Sequence, residues 1–222
     1  MTLSLPDGRE VRPGKVLCIG RNYAAHAAEM GNPDAAPVAF LKPTTALVPT
    51  GGEVVLPRQS EDVHHEVELV AVIGTRGKDI AESDALGHVA AYALGLDLTA
   101  RDLQAQAKAD RAPWSVAKGF DTFAPLGPLA PAEAVGDPQA LAIALAINGD
   151  VRQQGTTDHM IYSVARIVSY LSSVFTLEPG DLIYTGTPEG VGPIRSGDRL
   201  EATGTRLPPL TVTVRHAVAA TP

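Results

Sequence analysis

Apolar residues fall at every second position in the run His64-His65-Glu66-Val67-Glu68-Leu69-Val70-Ala71-Val72-Ile73. That period, with β-branched residues dominant, predicts a strand. Residues two apart on a strand share a face, so Glu66 and Glu68 project together, while Val67, Leu69, Ala71 and Ile73 require a core on the other side. Adjacent carboxylates repel unless a cation, a proton or solvent relieves them. If the strand is buried, a bound metal is the simplest relief. A second alternating run, Tyr92–Leu98, turns Tyr92, Leu94, Leu96 and Leu98 one way and Ala93, Gly95 and Asp97 the other. A lone carboxylate on a face of small residues suggests a bulky group approaching it. Asp97 is therefore a candidate third ligand.

Shorter patterns fill in the rest. Strands are expected at Val16–Ile19, Ala36–Lys42, Val54–Leu56, Leu141–Ile147 and Leu182–Tyr184, with two more between Asp198 and Val218. Asn148-Gly149 reads as a type I′ hairpin turn into Val151-Arg152-Gln153. The alanine-rich Arg21–Met30 segment predicts a helix stopped by Gly31-Asn32-Pro33. Ala85–Ala91 is helical in composition, and Thr99 with Asp102 forms a capping-box variant opening another helix. Met160, Ile161, Val164, Ile167, Val168 and Leu171 are spaced for one apolar face of a core helix running to about Phe175. Many short strands with few helices predict a mainly β protein with peripheral helices (α+β). No repeat or linker divides it, so residues 1–222 read as a single domain with residues 1–15 as an N-terminal arm.

Composition narrows the class. The 222 residues are 45% hydrophobic and 19% charged, ample for one core. A net charge of -7 argues against a nucleic-acid surface, which needs clustered Lys and Arg. The single cysteine, Cys18, rules out an intramolecular disulfide framework, fits a reducing compartment and reads as a packed thiol within Val16–Ile19. The polar, proline- and glycine-interrupted start predicts no signal peptide, and no apolar run approaches the ~20 residues of a membrane span. A cytoplasmic protein with no membrane partner is expected.

Three carboxylates without Cys or His at zinc spacing make a hard oxygen site suited to Mg²⁺ or Mn²⁺, ahead of zinc held through His64 or His65. Taken singly, each acid also fits a surface or salt-bridged residue. His26 and Glu29, three apart on their helix, fit either an exposed polar face or a general-base dyad. Arg101 and Gln104 share a helical face at the mouth of the proposed metal site. Lys118, among small and apolar neighbours, fits a snorkelling lysine or a cationic partner for a carboxylate or enolate. The loop Thr185-Gly186-Thr187-Pro188-Glu189-Gly190-Val191-Gly192 lacks the Gly-Lys-Ser/Thr ending of a P-loop; it fits a tight turn or a backbone nest for a small carboxylate.

Six segments in order resemble one family. They are Gly20–His26, Phe40-Leu41-Lys42-Pro43, His65–Leu69, Leu96–Asp102, Ala117-Lys118-Gly119-Phe120 and Thr185–Gly192. Their order and spacing resemble the fumarylacetoacetate hydrolase family, in its compact acylpyruvase-like branch, over about Lys15 to Val214. The resemblance implies a mixed, rolled β-sheet fold, a homodimer and a Mg²⁺ or Mn²⁺ site. On it, Glu66, Glu68 and Asp97 match the metal carboxylates, Lys118 the active-site lysine, and His26 with Glu29 a dyad on a lid helix, the lid region covering residues 21–36. Arg21, Gln104 and Thr187 match substrate contacts; Arg101 and Gly186 stand beside them at the same mouth and loop. The Asn32–Ala36 and Thr203–Pro209 stretches look variable, so substrate side-chain preference is expected to differ there.

The resemblance implies a small 2-oxo acid substrate and hydrolysis of an acylpyruvate to pyruvate and a carboxylic acid. Oxaloacetate decarboxylation and isomerisation of 2-hydroxyhepta-2,4-diene-1,7-dioate draw on the same residues. A non-catalytic metal-binding protein is the minor reading, since every candidate catalytic side chain is present.

Overall fold

The computed structural model describes residues 1–29 and 38–217. The expected helix stop at Gly31-Asn32-Pro33, the Asn32–Ala36 stretch and the part of the lid beyond Glu29 lie outside the described residues.

The Val67–Ile73 strand lies inside an eight-stranded sheet. Seven strands run in the order Val38–Lys42, Val16–Gly20, Leu182–Tyr184, Val67–Ile73, Val89–Leu96, Ala124–Leu126 and Leu47–Pro49; the eighth, Ala130–Pro131, also pairs with Val89–Leu96. The sheet is mixed: Leu182–Tyr184 runs parallel to Val16–Gly20 and Ala124–Leu126 parallel to Leu47–Pro49, while the other pairings are antiparallel. The fold is mainly β with a curled sheet and few helices.

Alternation decides which side chains meet which layer. Val67, Leu69, Ala71 and Ile73 join Tyr92, Leu94 and Leu96 in the larger core. There they meet Val164, Ile167, Val168 and Leu171 of the Val164–Val174 helix and the inward residues of a five-stranded sheet. That sheet orders Asp150–Thr156, Ala142–Ile147, Arg199–Gly204, Leu207–His216 and Glu53–Leu56. Val70, Val72, Ala91 and Ala93 face a second core with Val16, Cys18, Leu182 and Tyr184. Each fully buried aliphatic side chain here contributes ~1.5–3 kcal/mol, so the strand's register is firmly specified. The bulky group expected over the small face of the second strand is Tyr184: a Cβ at Gly95 would lie 2.5 Å from its ring.

Three neighbouring strands of the large sheet leave it at one level and pair again in a small three-stranded sheet. Val67–Ile73 continues into Val63–His65, Val89–Leu96 into Thr99–Ala100, and Leu182–Tyr184, through the Thr185–Val191 loop, into Gly192–Pro193. Glu66 and Asp97 occupy the break between the two sheets. The Asp97 N–H donates to the Glu66 carbonyl at 2.9 Å, which holds the two breaks together.

Local expectations differ in three places. Thr99 caps no helix: it pairs with His64 in the small sheet, its Oγ1 donating to the Asp97 carbonyl, and the helix begins at Arg101 without a side-chain cap. Asp102 instead accepts from Ser60 Oγ and Glu61 N. The Ala85–Ala91 segment divides between a 3₁₀ turn, Glu82–His88, and the strand from Val89, because pairing of Val89 and Ala91 with Ile73 and Val72 overrides alanine's helical preference. Met160 and Ile161 precede the core helix, which Ser163 caps by accepting from Arg166 N. Asn22 holds that preceding segment, its carbonyl accepting from Ile161 N and its Oδ1 from Tyr162 N.

Candidate active site

The break between the sheets buries three carboxylates together. Glu66, Glu68 and Asp97 are 5%, 2% and 1% exposed, and each offers an oxygen within 4.8 Å of the others. Three cations surround them. Lys118, on the short Ser115–Lys118 helix, donates to Glu66 Oε2 at 2.8 Å and to Asp97 Oδ2 at 2.5 Å. Arg101 donates from Nη2 to Glu66 Oε1 at 2.6 Å. Lys42 Nζ stands 2.7 Å from Asp97 Oδ1.

The partners are distributed unevenly. Lys42 spends its three N–H groups on the carbonyls of Leu98, Lys118 and Phe123, so Asp97 Oδ1 is buried with no hydrogen bond despite its cationic neighbour. Glu68 accepts one hydrogen bond, from the Gly186 N–H at 2.7 Å, and pairs with no cation among the described residues. Burial, then the Asp97 and Glu66 charges, raise its pKa well above the ordinary carboxylate range. Glu66 goes the other way: burial opposes its ionisation, but Lys118 and Arg101 outweigh it and hold its carboxyl low. Burial likewise opposes charge on Lys118, and Asp97 and Glu66 more than restore it.

An ionised, unpaired carboxylate at this depth costs several kcal/mol, so Glu68 requires a proton or a further cation. The orphaned Asp97 oxygen, the uncompensated Glu68 and an all-oxygen donor set fit a hard divalent ion. Neither neighbouring histidine belongs to the group: His64 Nε2 contacts Asp62 at 2.9 Å and His65 Nδ1 contacts Gln153 at 2.8 Å. Burial lowers the pKa of both histidines.

Of the three carboxylates, Glu66 lines a pocket whose wall also includes Arg21, His26, Arg101, Gln104 and Lys118. Arg101 Nη1 donates to Gln104 Oε1 at 2.9 Å, fixing the shared helical face expected for this pair. His26, 5% exposed, sits on the Ala24–Glu29 helix, and its Nδ1 faces Glu29 Oε2 at 3.2 Å. Glu29 also accepts from the Gly190 N–H at 3.2 and 3.3 Å, which ties the dyad's helix to the glycine-rich loop. Thr187 lies off the pocket wall, with its Oγ1 donating to the Val67 carbonyl and accepting from Gln153 Nε2.

Two supporting residues escaped the sequence reading. Lys42 reads as the end of an apolar strand and as part of the Phe40-Leu41-Lys42-Pro43 segment with no role of its own, and its contacts with Leu98, Lys118 and Phe123 span 56 to 81 positions of chain. Gln153, inside the second hairpin strand, accepts from Val67 N at 3.0 Å and braces both His65 and Thr187. Its only local signal was a polar side chain at the inward position of an otherwise exposed strand.

The chain belongs to the fumarylacetoacetate (FAA) hydrolase C-terminal family, which matches residues 15–215. It is 49% identical over 189 residues to the oxaloacetate tautomerase FAHD1, mitochondrial, of Arabidopsis thaliana, covering 85% of each chain. Its fold is similar to the crystal structure of fumarylpyruvate hydrolase from Pseudomonas aeruginosa in complex with Mn²⁺ and pyruvate, with TM-score 0.92 and 45% identity, covering 98% of this chain and 96% of that one. It is also similar to 2-hydroxyhepta-2,4-diene-1,7-dioate isomerase from Mycobacterium marinum, with TM-score 0.83 and 40% identity, covering 94% and 81%. The relatives are hydrolases, isomerases and a tautomerase. No helix among the described residues is long and apolar enough to cross a membrane.

Proposed function

We propose that this protein is a Mg²⁺- or Mn²⁺-dependent hydrolase that splits acylpyruvates into pyruvate and a carboxylic acid. The observation that carries the reading is one pocket whose wall brings together Glu66 of the under-compensated carboxylate trio and His26 of the His26–Glu29 dyad. Glu66, Glu68 and Asp97 would hold a divalent ion, which would supply Lewis-acid stabilisation of the negative charge that develops on the substrate.

Glu29 engages His26 Nδ1, which fixes the tautomer and leaves Nε2 as the base. His26 removes a proton from water, and the hydroxide adds to the acyl carbonyl. The bond from that carbon to the pyruvate methylene breaks, and its electron pair passes to the pyruvate enolate. The imidazolium returns its proton when the enolate becomes pyruvate. Lys118 balances the developing negative charge through its ammonium group. Arg101 and Gln104 orient the substrate's anionic end, and the Gly186 N–H holds the Glu68 carboxylate in place. A homodimer of such domains is proposed as the working assembly, checked by light scattering.

A second reading draws on the tautomerase relative. The same dyad can carry a proton between carbon and oxygen of oxaloacetate without adding water, and loss of CO₂ from oxaloacetate would also leave an enolate. Assay of purified protein with Mg²⁺ or Mn²⁺ against acetylpyruvate, fumarylpyruvate and oxaloacetate separates these. Pyruvate from an acylpyruvate is expected; decay of the oxaloacetate enol absorbance with no pyruvate from any substrate would replace hydrolysis by tautomerisation.

A further inference from the structure

Two buried nitrogens close to the trio, His64 Nδ1 and Arg101 Nε, have no hydrogen-bond partner among the described residues. The small three-stranded sheet brings their side chains to one face. Thr99 pairs with His64 and Ala100 with Val63, and one step further along Arg101 N donates to the Asp62 carbonyl at 2.7 Å. Residues opposite one another in an antiparallel pair share a face, as do residues two apart on one strand. Asp62, His64 and Arg101 therefore project together.

Hydrogen-bond chemistry fixes what each orphan needs. Asp62 Oδ1 lies 2.9 Å from His64 Nε2, and a carboxylate only accepts, so Nε2 carries the ring hydrogen and donates it. That leaves His64 Nδ1 a bare acceptor, whereas Arg101 Nε–H can only donate. Burial and the nearby Arg101 charge favour the neutral ring that this tautomer requires. The other nitrogens of the guanidinium are engaged, Nη1 with Gln104 Oε1 at 2.9 Å and Nη2 with Glu66 Oε1 at 2.6 Å. A buried polar group left unmet costs ~1–3 kcal/mol. One water accepting from Arg101 Nε–H and donating to His64 Nδ1 satisfies both orphans at once.

We propose that Asp62 and His64 are positioning residues for Arg101: the carboxylate sets the imidazole tautomer, and the imidazole holds Arg101 Nε through a single buried water. With Nε, Nη1 and Nη2 each tied, one N–H on each Nη stays free for the pocket that Arg101 lines. Arg101 then meets a ligand as a rigid fork and loses little rotamer freedom on binding. The protein thus carries two carboxylate–imidazole pairs with different tasks: His26 with Glu29 faces the pocket, and His64 with Asp62 braces a cation from behind. Only the consequence for substrate binding rests on the reading above; the hydrogen-bond network does not.

The test observes Arg101 Nε–H directly by proton–nitrogen NMR on the Mg²⁺-loaded full chain, the resonance being identified by its loss in Arg101→Lys. In wild type this hydrogen should exchange with solvent at least about tenfold more slowly than those of exposed arginines. His64→Ala should remove the protection, and His64→Asn, whose Oδ1 falls near the place of Nδ1, should restore most of it. Asp62→Ala changes a side chain that is 48% exposed, so it spares the core and should act in the same direction even where His64→Ala folds poorly. With acetylpyruvate, both alanine variants should raise KM about tenfold with kcat changed less, and His64→Asn should recover it. Protection present in wild type and lost in both alanine variants, with no pyruvate released by wild type, would keep the network and remove the hydrolase reading. An unprotected Nε–H in wild type, protection unmoved by both alanine variants, or an unmoved KM where protection is lost would overturn the proposal.

Discussion

The Gly186 N–H donates to Glu68 Oε2 over 2.7 Å, the single hydrogen bond this buried carboxylate receives among the described residues. Gly186 reaches that position at φ +102, and a Cβ there would lie 2.6 Å from Asn22 Cβ. Gly186→Ala should destabilise the protein by ~1–3 kcal/mol and weaken metal binding, because the loop must move and take the donor with it. Thermal melts with and without Mn²⁺ check this; an unchanged metal response would separate the loop from the trio.

The raised pKa of Glu68 makes a pH prediction. A carboxyl whose pKa is raised by folding contributes stability that is present below the ordinary carboxylate range and lost as pH rises through the raised value. A metal ion replaces that proton, so the metal-induced rise in Tm should be larger at about pH 8 than at about pH 5.5. Glu68→Gln should abolish this growth and weaken metal binding at least about tenfold. A metal response of equal size at both pH values would show that Glu68 gives up no proton to the ion.

Lys42 holds three carbonyls and stands against Asp97 at 3% exposure. Lys42→Met removes the cation at nearly constant volume, takes one donor from each of three carbonyls and leaves Asp97 Oδ1 without its cationic neighbour. The expected loss is ~3–5 kcal/mol in urea unfolding, as for breaking one side of a buried ion pair. A loss below ~1 kcal/mol would mean that water takes over its role.

The dyad separates hydrolysis from reactions that need no water. His26→Ala should reduce acylpyruvate hydrolysis by roughly 10²–10⁴, the usual worth of a general base. Any oxaloacetate decarboxylation should fall much less. Glu29→Ala should act in the same direction and also loosen the Ala24–Glu29 helix from the loop, since its carboxylate accepts from Gly190 N. Equal losses in both reactions would count against water activation by His26.

The sequence by itself determined the strands that carry the trio and the faces their side chains take. Alternation from Val67 to Ile73 and from Tyr92 to Leu98 fixes sidedness, because a one-residue slip would turn the apolar set out of the core. Asn148-Gly149 likewise set its hairpin, with both residues at positive φ. These are local facts, written in spacings of two and in turn chemistry.

Only the tertiary structure decided how the charges are shared. Lys42, Lys118 and Arg101 arrive at the trio from three separate elements, and the arrangement that leaves Glu68 without a cation follows from strands breaking at one level between two sheets. The start of the core helix after Ser163 and the pairing of Thr99 were decided the same way, by partners distant in sequence. Periodicity reports which face a side chain takes; it carries no information about which distant element comes to meet that face, and electrostatic compensation depends on that meeting.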